Sequence, residues 1–438
     1  MLSQLRGEDT MACRFSALIG PRTLAFVACL ITAIAGPVSP AASSSPDPSN
    51  GCKAQQRVPA GNYSQKQWPI IQSGTNGQDV GRIFSVHVPK QHEDPQSRPL
   101  PVVINLHGSG GNGADHDKWS RMSELGDAVG FVVATPSAWP WSQWTAFEEL
   151  PQARHGISDV DFIRRLLKTI ADNLCIDRNR IYATGHSNGG LMSAALGRFS
   201  SEEKLGDHKI AAVAPVAAIP LPGDMPLTTS GVSAEAVGDQ LIRGYIPEPF
   251  EAFLLCRPAR PREPIPMHTF FANQDRLVAN GACYGTYGQA VSELDEIKRS
   301  AVRARACECY DKDPQGSLMC QSRPAVRGNV DFLTWFAQCA VNRWALENGC
   351  AANMDSPLPT GNSGWGVPAG TVNWNCSAVA DSRGETFLTI FDTTDRPGHP
   401  NNIEQPNGHI WPGGAKPYDA SDFNLTRAIW SFFENHPR

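Results

Sequence analysis

The feature that most constrains this chain is the passage from Ile181 to Phe199. An apolar strand, Ile181–Thr184, runs into the turn Gly185-His186-Ser187-Asn188-Gly189 and then directly into a helix beginning GGLMSAALGRF. The turn is the one G-x-S-x-G in the chain. A serine held between a strand and a helix in so tight a turn has a strained backbone and needs small neighbours. A chain that leaves a strand for a helix must also return to the sheet by a crossover, which points to parallel strands.

The rest of the chain agrees. Short apolar runs at Arg82–Val88, Val102–Leu106, Phe131–Ala134, Ala211–Val216, His268–Ala272 and Glu385–Phe391 read as further strands. Several are apolar throughout, as expected of parallel strands covered on both faces. Between them, Ser158-x-x-Asp161 has the pattern of a helix N-terminus and opens Asp159–Leu174. There Ile163, Leu166, Leu167, Ile170 and Leu174 share a stripe, and Arg164, Arg165 and Lys168 face away. Asp331–Glu347 and Asp422–Phe433 also carry helical spacing. The fold class expected is α/β with a mainly parallel sheet.

Composition removes other classes. With 18% charged and 41% hydrophobic residues, the 438-residue chain is not of the disordered type. A formal charge of −5 without a basic run argues against nucleic acid or an anionic membrane surface as partner. The 39 glycines and 35 prolines suggest a loop-rich globular protein, read here as a monomer.

Arg14 and Arg22 precede the apolar run Leu24–Ala35, which small residues, Pro and Ser follow. Residues 1–43 therefore read as a secretory signal peptide and leader, too short in its apolar part to span a bilayer. Cys13 and Cys29 fall within it; the other ten of the 12 cysteines are an even number, expected to form disulfides in an exported chain. Cys283, Cys307, Cys309 and Cys320 lack the paired C-x₂-C spacing of a zinc site, so no metal is expected. Asn62, Asn375 and Asn424 begin N-glycosylation sequons. Residues 52–438 read as a single domain, with two stretches, about 220–266 and 281–330, that break the alternation and read as insertions.

The chemistry expected is nucleophilic. Leu106-His107-Gly108-Ser109-Gly110-Gly111-Asn112 follows the strand VVIN, where flexible glycines can aim backbone N–H groups at a developing negative charge. It lacks the trailing Lys-Ser/Thr of a phosphate-binding loop. A serine nucleophile needs a base, and the base an orienting acid. His409, in the turn-rich segment NGHIWPGG between the last strand and last helix, fits the base, with His399 as competitor. Asp275, just after the strand His268–Ala272, fits the acid, with Asp392 and Asp395 as alternatives.

The combination LHGSGGN, DVDFIRRLLKTIADNLCIDRNRIYATGHSNGG, APVAA and GHIWPGG resembles secreted feruloyl esterases and the poly(3-hydroxybutyrate) depolymerase-like esterases. These are α/β-hydrolases of carbohydrate esterase family one. The resemblance is close over Arg82–Ala218 and resumes at Cys256–Val278, Phe332–Cys376 and Asn407–Phe433. It implies an α/β-hydrolase fold with Ser187 as nucleophile, Asp275 as acid and His409 as base, and no cofactor. By the same resemblance Cys350 and Cys376 form a disulfide. The chain departs from the pattern at the acid, where FANQD replaces a Gly-containing HGxxD, in its two insertions, and in having no Ser/Thr/Pro linker to a binding module.

The expected function is a secreted serine esterase acting on feruloyl esters of plant cell-wall polysaccharide. The oxyanion would be held by the N–H groups of Ser109 and Asn188. Trp139, Trp141 and Trp144 cluster after the strand FVVATP, and Trp411 follows His409; Trp144 and Trp411 are expected to bind substrate as aromatic platforms. A polyester depolymerase or an acetylxylan esterase would use the same triad. A non-catalytic secreted binding protein is the reading from another class.

Overall fold

Six of the strands expected from sequence form the parallel centre of one nine-stranded sheet. The computed structural model describes residues 45–139, 142–144, 157–201, 204–218, 263–272, 275, 341–351, 353, 367–379, 383–391, 408–415 and 421–438. The leader, most of the first insertion (220–262) and all of the second (281–330), His399, Asp392, Asp395 and Trp141 lie outside the described residues, as do Cys283, Cys307, Cys309 and Cys320. All described residues fall within the compact unit Ala41–Arg438.

The strands are β1 (Gly61–Ser64), β2 (Ile71–Ser73), β3 (Asp79–Gly81), β4 (Phe84–Val88), β5 (Leu100–Leu106), β6 (Val132–Pro136), β7 (Ile176–His186), β8 (Ala212–Val216), β9 (Met267–Ala272), β10 (Pro368–Asn373) and β11 (Thr386–Phe391). The large sheet runs β1-β4-β6-β5-β7-β8-β9-β11-β10, with β2 and β3 paired separately. From β6 to β11 every neighbouring pair is parallel; β1, β4 and β10 are antiparallel additions at the edges. Counted from the β1 edge to β11, this is the 1-2-4-3-5-6-7-8 strand order of an α/β-hydrolase, with the serine turn after the fifth strand. The chain has that fold.

Burial explains which strands sequence revealed. β5, β6 and β8 are buried along their whole length, so they read as apolar runs. The strands with no sequence signal, β1, β2, β3 and β10, are short or half-exposed and too brief for a period-2 pattern. β10 begins at a proline and shifts register by Gly370, which an edge strand tolerates.

Among the described residues five helices pack on the sheet: α1 (Gly113–Ser120), α2 (Met122–Val129), α3 (Asp159–Asn173), α4 (Asn188–Ser201) and α5 (Leu425–Glu434); residues 341–347 are also helical. The Ser158 hydroxyl caps α3 by accepting the Asp161 N–H at 3.2 Å, as its spacing predicts. Asn424 caps α5 in the same way through the Arg427 N–H. α5 then stacks Phe433 on Tyr182 of β7 and Trp430 on Phe131, with ring centroids 4.7 and 4.3 Å apart. α1 was not legible because its residues are mostly polar; Asn112 caps it and only Gly113, His116, Trp119 and Ser120 are buried.

Two disulfides occur among the described residues. Cys350 bridges Cys376, as the resemblance implied. Cys52 bridges Cys175 across 123 residues, a pairing that sequence left open. It ties the segment before β1 to the head of β7 beside Ser49, whose hydroxyl donates to Leu174 O and accepts from Ile176 N. Closing a loop of that size restricts the unfolded chain by about 5 kcal/mol in the chain-entropy account.

One partly buried group ties stability to pH. His268 on β9 packs against Phe270, Phe387 and Phe432 and bonds Thr389 Oγ1 at 2.8 Å. Burial, with His436 nearby, pushes its pKa down to about 3. The unfolded chain therefore takes up the proton first, and stability falls as pH drops from about 6.5 towards about 3. At pH 5 this histidine alone removes about 2 kcal/mol. Urea unfolding at pH 7 and pH 5 should show a loss larger by that amount in wild type than in His268→Phe; equal losses would refute it. His92 and His208, also lowered by burial, are common to both proteins and cancel.

Candidate active site

The strand order itself says where a site belongs. The chain steps outward from β5 to β6 on one side and to β7 on the other, and open α/β sheets bind ligands beyond the carboxyl ends of the strands at such a switch. β5 ends at Leu106, before the glycine loop; β7 ends at His186, before Ser187.

Ser187 has φ +56°, the left-handed region that a non-glycine residue rarely adopts. Its N–H is held by Val216 O of β8 at 2.9 Å, and its carbonyl accepts Leu191 N as α4 begins. The surrounding glycines are required by contact. A Cβ on Gly189 would stand 2.2 Å from Leu106 O, and one on Gly185 would stand 2.6 Å from the Gly189 backbone. The glycine loop lies against the serine, since a Cβ on Gly108 would come within 3.3 Å of Ser187 Cβ.

His409 and Asp275, 134 residues apart, are brought into hydrogen-bond contact. The His409 Nδ1–H donates to both carboxylate oxygens of Asp275, at 2.9 and 3.1 Å. Asp275 is fully buried just beyond β9, its own N–H on Ala272 O. This pairing leaves Nε2 of His409 as the proton acceptor that a general base needs. The His409 ring lies 4.3 Å from that of His186, the residue before Ser187, so His409 sits at the serine turn.

Of the two expected oxyanion donors, one lies on that turn and the other on the glycine loop beside it. Asn188 is the first residue of α4, where N–H groups have no acceptor within the helix. Ser109 lies on the exposed glycine loop. In that loop the Gly110 N–H is taken by Ser142 O and the Gly111 N–H by Gly108 O.

The two tryptophans expected to bind substrate are placed otherwise. Trp411 has no exposed surface: its Nε1–H donates to Thr426 Oγ1, and its ring meets His116 edge-on. Trp144 is 3% exposed and its indole N–H donates to His107 O at 2.9 Å. Both rings are packing and hydrogen-bonding elements, with no open face for a ligand. Sequence saw aromatic residues near the site but not which way they turn.

Sequence reasoning also passed over His107. Ala138 N–H donates to its Nε2 at 3.0 Å, which fixes the neutral tautomer with the proton on Nδ1, 2.7 Å from Gly108 O. Burial lowers its pKa. Its adjacency to the glycine loop was the available signal.

Among the described residues no three His, Cys, Asp or Glu side chains gather as a metal site, and no helix is long and apolar enough to cross a membrane.

No family model matches the chain. It is 31% identical over 136 residues to feruloyl esterase C of Emericella nidulans, covering 29% of this chain and 45% of that protein. It is 27% identical over 169 residues to the esterase NocK of Nocardia uniformis subsp. tsuyamanensis, covering 37% and 47%. The alignments thus span just under half the length of these curated relatives, both named as esterases. Among solved structures, acetyl xylan esterase from Aspergillus awamori aligns at 14% identity with a TM-score of 0.30, over 47% of this chain and 75% of that one. That score is too low to bear on the fold, which the strand order establishes.

Proposed function

We propose that the chain is an exported serine esterase that hydrolyses hydroxycinnamoyl (feruloyl) esters of plant polysaccharide. The observation that carries the reading is the His409–Asp275 pair at a serine turn whose Ser187 has φ +56°. In this reading Ser187 Oγ attacks the ester carbonyl as His409 Nε2 takes its proton, while Asp275 holds the tautomer and balances the imidazolium. The N–H groups of Ser109 and Asn188 hold the oxyanion, each such donor typically worth ~10²–10³ in rate. His409 returns the proton to the leaving alcohol. Water, deprotonated by the same histidine, then releases the acid and restores Ser187.

The similarity to feruloyl esterase C supports the phenolic acyl group. The two disulfides support an oxidising, extracellular setting.

The test is hydrolysis of methyl ferulate beside 3-hydroxybutyrate oligomers and acetylated xylan, with Ser187→Ala as blank. Ferulate release well above the other two, lost in the variant, is the expected result. Preference for the oligomers or the xylan would overturn the acyl group and keep the esterase. No serine-dependent turnover, with no labelling by a fluorophosphonate, would overturn the enzyme.

A further inference from the structure

We infer that Trp144 and His107 are positioning residues that set two peptide planes of the glycine loop, one carrying the Ser109 N–H assigned above to the oxyanion and one carrying the Gly108 N–H, beside Ser187, which this inference adds as a second loop donor. This rests on the proposed serine chemistry and adds the parts that hold its loop in place.

A trans peptide points its C=O and the following N–H in opposite directions. Anchoring a carbonyl therefore fixes the donor on the same plane. In the 107–108 plane, the His107 carbonyl accepts the Trp144 indole N–H at 2.9 Å, which sets the Gly108 N–H. In the 108–109 plane, the Gly108 carbonyl accepts both His107 Nδ1–H at 2.7 Å and Gly111 N–H at 3.1 Å, which sets the Ser109 N–H. Without these anchors a glycine-rich loop would let both planes turn. His107 is itself fixed by the Ala138 N–H on its Nε2, just beyond β6.

Trp144 is held from the other side of the site. Its backbone N–H donates to Asn188 Oδ1 at 2.6 Å, and its carbonyl accepts Asn188 Nδ2–H at 3.3 Å. Two residues earlier, Ser142 O takes the Gly110 N–H at 3.0 Å. Residues 142–144 thus link the glycine loop to Asn188, the residue after the nucleophile. The two halves of the oxyanion site are set by one short strap, which explains why a tryptophan beside the site is turned inward. Preorganised donors matter because they need not reorient as charge develops.

The experiment uses the full chain with p-nitrophenyl acetate, phenylboronic acid as a tetrahedral mimic, and amide hydrogen exchange. Trp144→Phe keeps the ring and removes only the N–H. It should lower kcat about tenfold with KM within about twofold, and weaken the boronate by a like factor. Exchange at the 108–111 amides should quicken. His107→Asn, which keeps a donor near the Nδ1 position, should hold most of the rate that His107→Ala loses. A folded Trp144→Phe with wild-type boronate affinity and unchanged loop exchange overturns the inference, as does equal loss in both His107 variants. If wild type cleaves no ester yet loop exchange quickens in Trp144→Phe, the proposed function fails and the positioning role stands.

Discussion

Replacing Asp275 with Asn is expected to lower kcat about 10⁴-fold while leaving KM nearly unchanged. The carboxylate can only accept, so it holds the His409 proton on Nδ1 through contacts of 2.9 and 3.1 Å. An asparagine in the same place can present its amide N–H to Nδ1, and the proton then moves to Nε2. That nitrogen can no longer take the proton of Ser187. The imidazolium of the intermediate also loses its counter-charge, and Asp275 has no solvent contact through which water could substitute. Steady-state kinetics on a p-nitrophenyl ester, with a thermal melt to show that the fold is intact, checks it. A loss below tenfold would mean that Asp275 does not orient the base.

Gly189→Ala should have the largest effect on stability, a loss of about 3–5 kcal/mol. The new Cβ would lie 2.2 Å from Leu106 O, 2.5 Å from His107 O and 2.6 Å from Leu106 C. All three are backbone atoms of the strand and loop beside β7, and no rotamer change relieves the clash. Either α4 lifts from β5 or the end of β5 moves, and both displace the serine turn. Gly110→Ala is the control: Gly110 has φ +75° but nothing within 4 Å of its would-be Cβ, so only the left-handed backbone cost of about 1–2 kcal/mol applies. Urea unfolding of both variants measures the difference. Equal losses would show that close approach at Gly189 is not limiting.

The two substitutions mark different kinds of sequence information. Gly185, Ser187 and Gly189 were legible because a strand-to-helix turn imposes small residues at fixed offsets, whatever surrounds it. The buried strands β5, β6 and β8 were legible for a similar reason: a strand covered on both faces must be apolar along its length. Edge strands β1 and β10 have mixed exposure and left no such trace. The pairing of Cys52 with Cys175 was closed to sequence because any of the cysteines could meet until the sheet fixed their places.

The tryptophans show the limit most plainly. Position in the chain put Trp144 and Trp411 near the serine, but composition does not say where an indole faces. Trp411 is buried against His116 and Thr426, and Trp144 directs its N–H at the His107 carbonyl. Sequence by itself determined the strand-helix alternation, the serine turn and the residue types for a base and an acid, since these follow from local periodicity and turn sterics. The tertiary structure alone decided that Asp275 meets His409 across 134 residues, that Cys52 meets Cys175, and that both tryptophans turn inward and are buried. Those facts depend on contacts between distant segments, which come into being only when the sheet brings the ends of β5, β7 and β9 together.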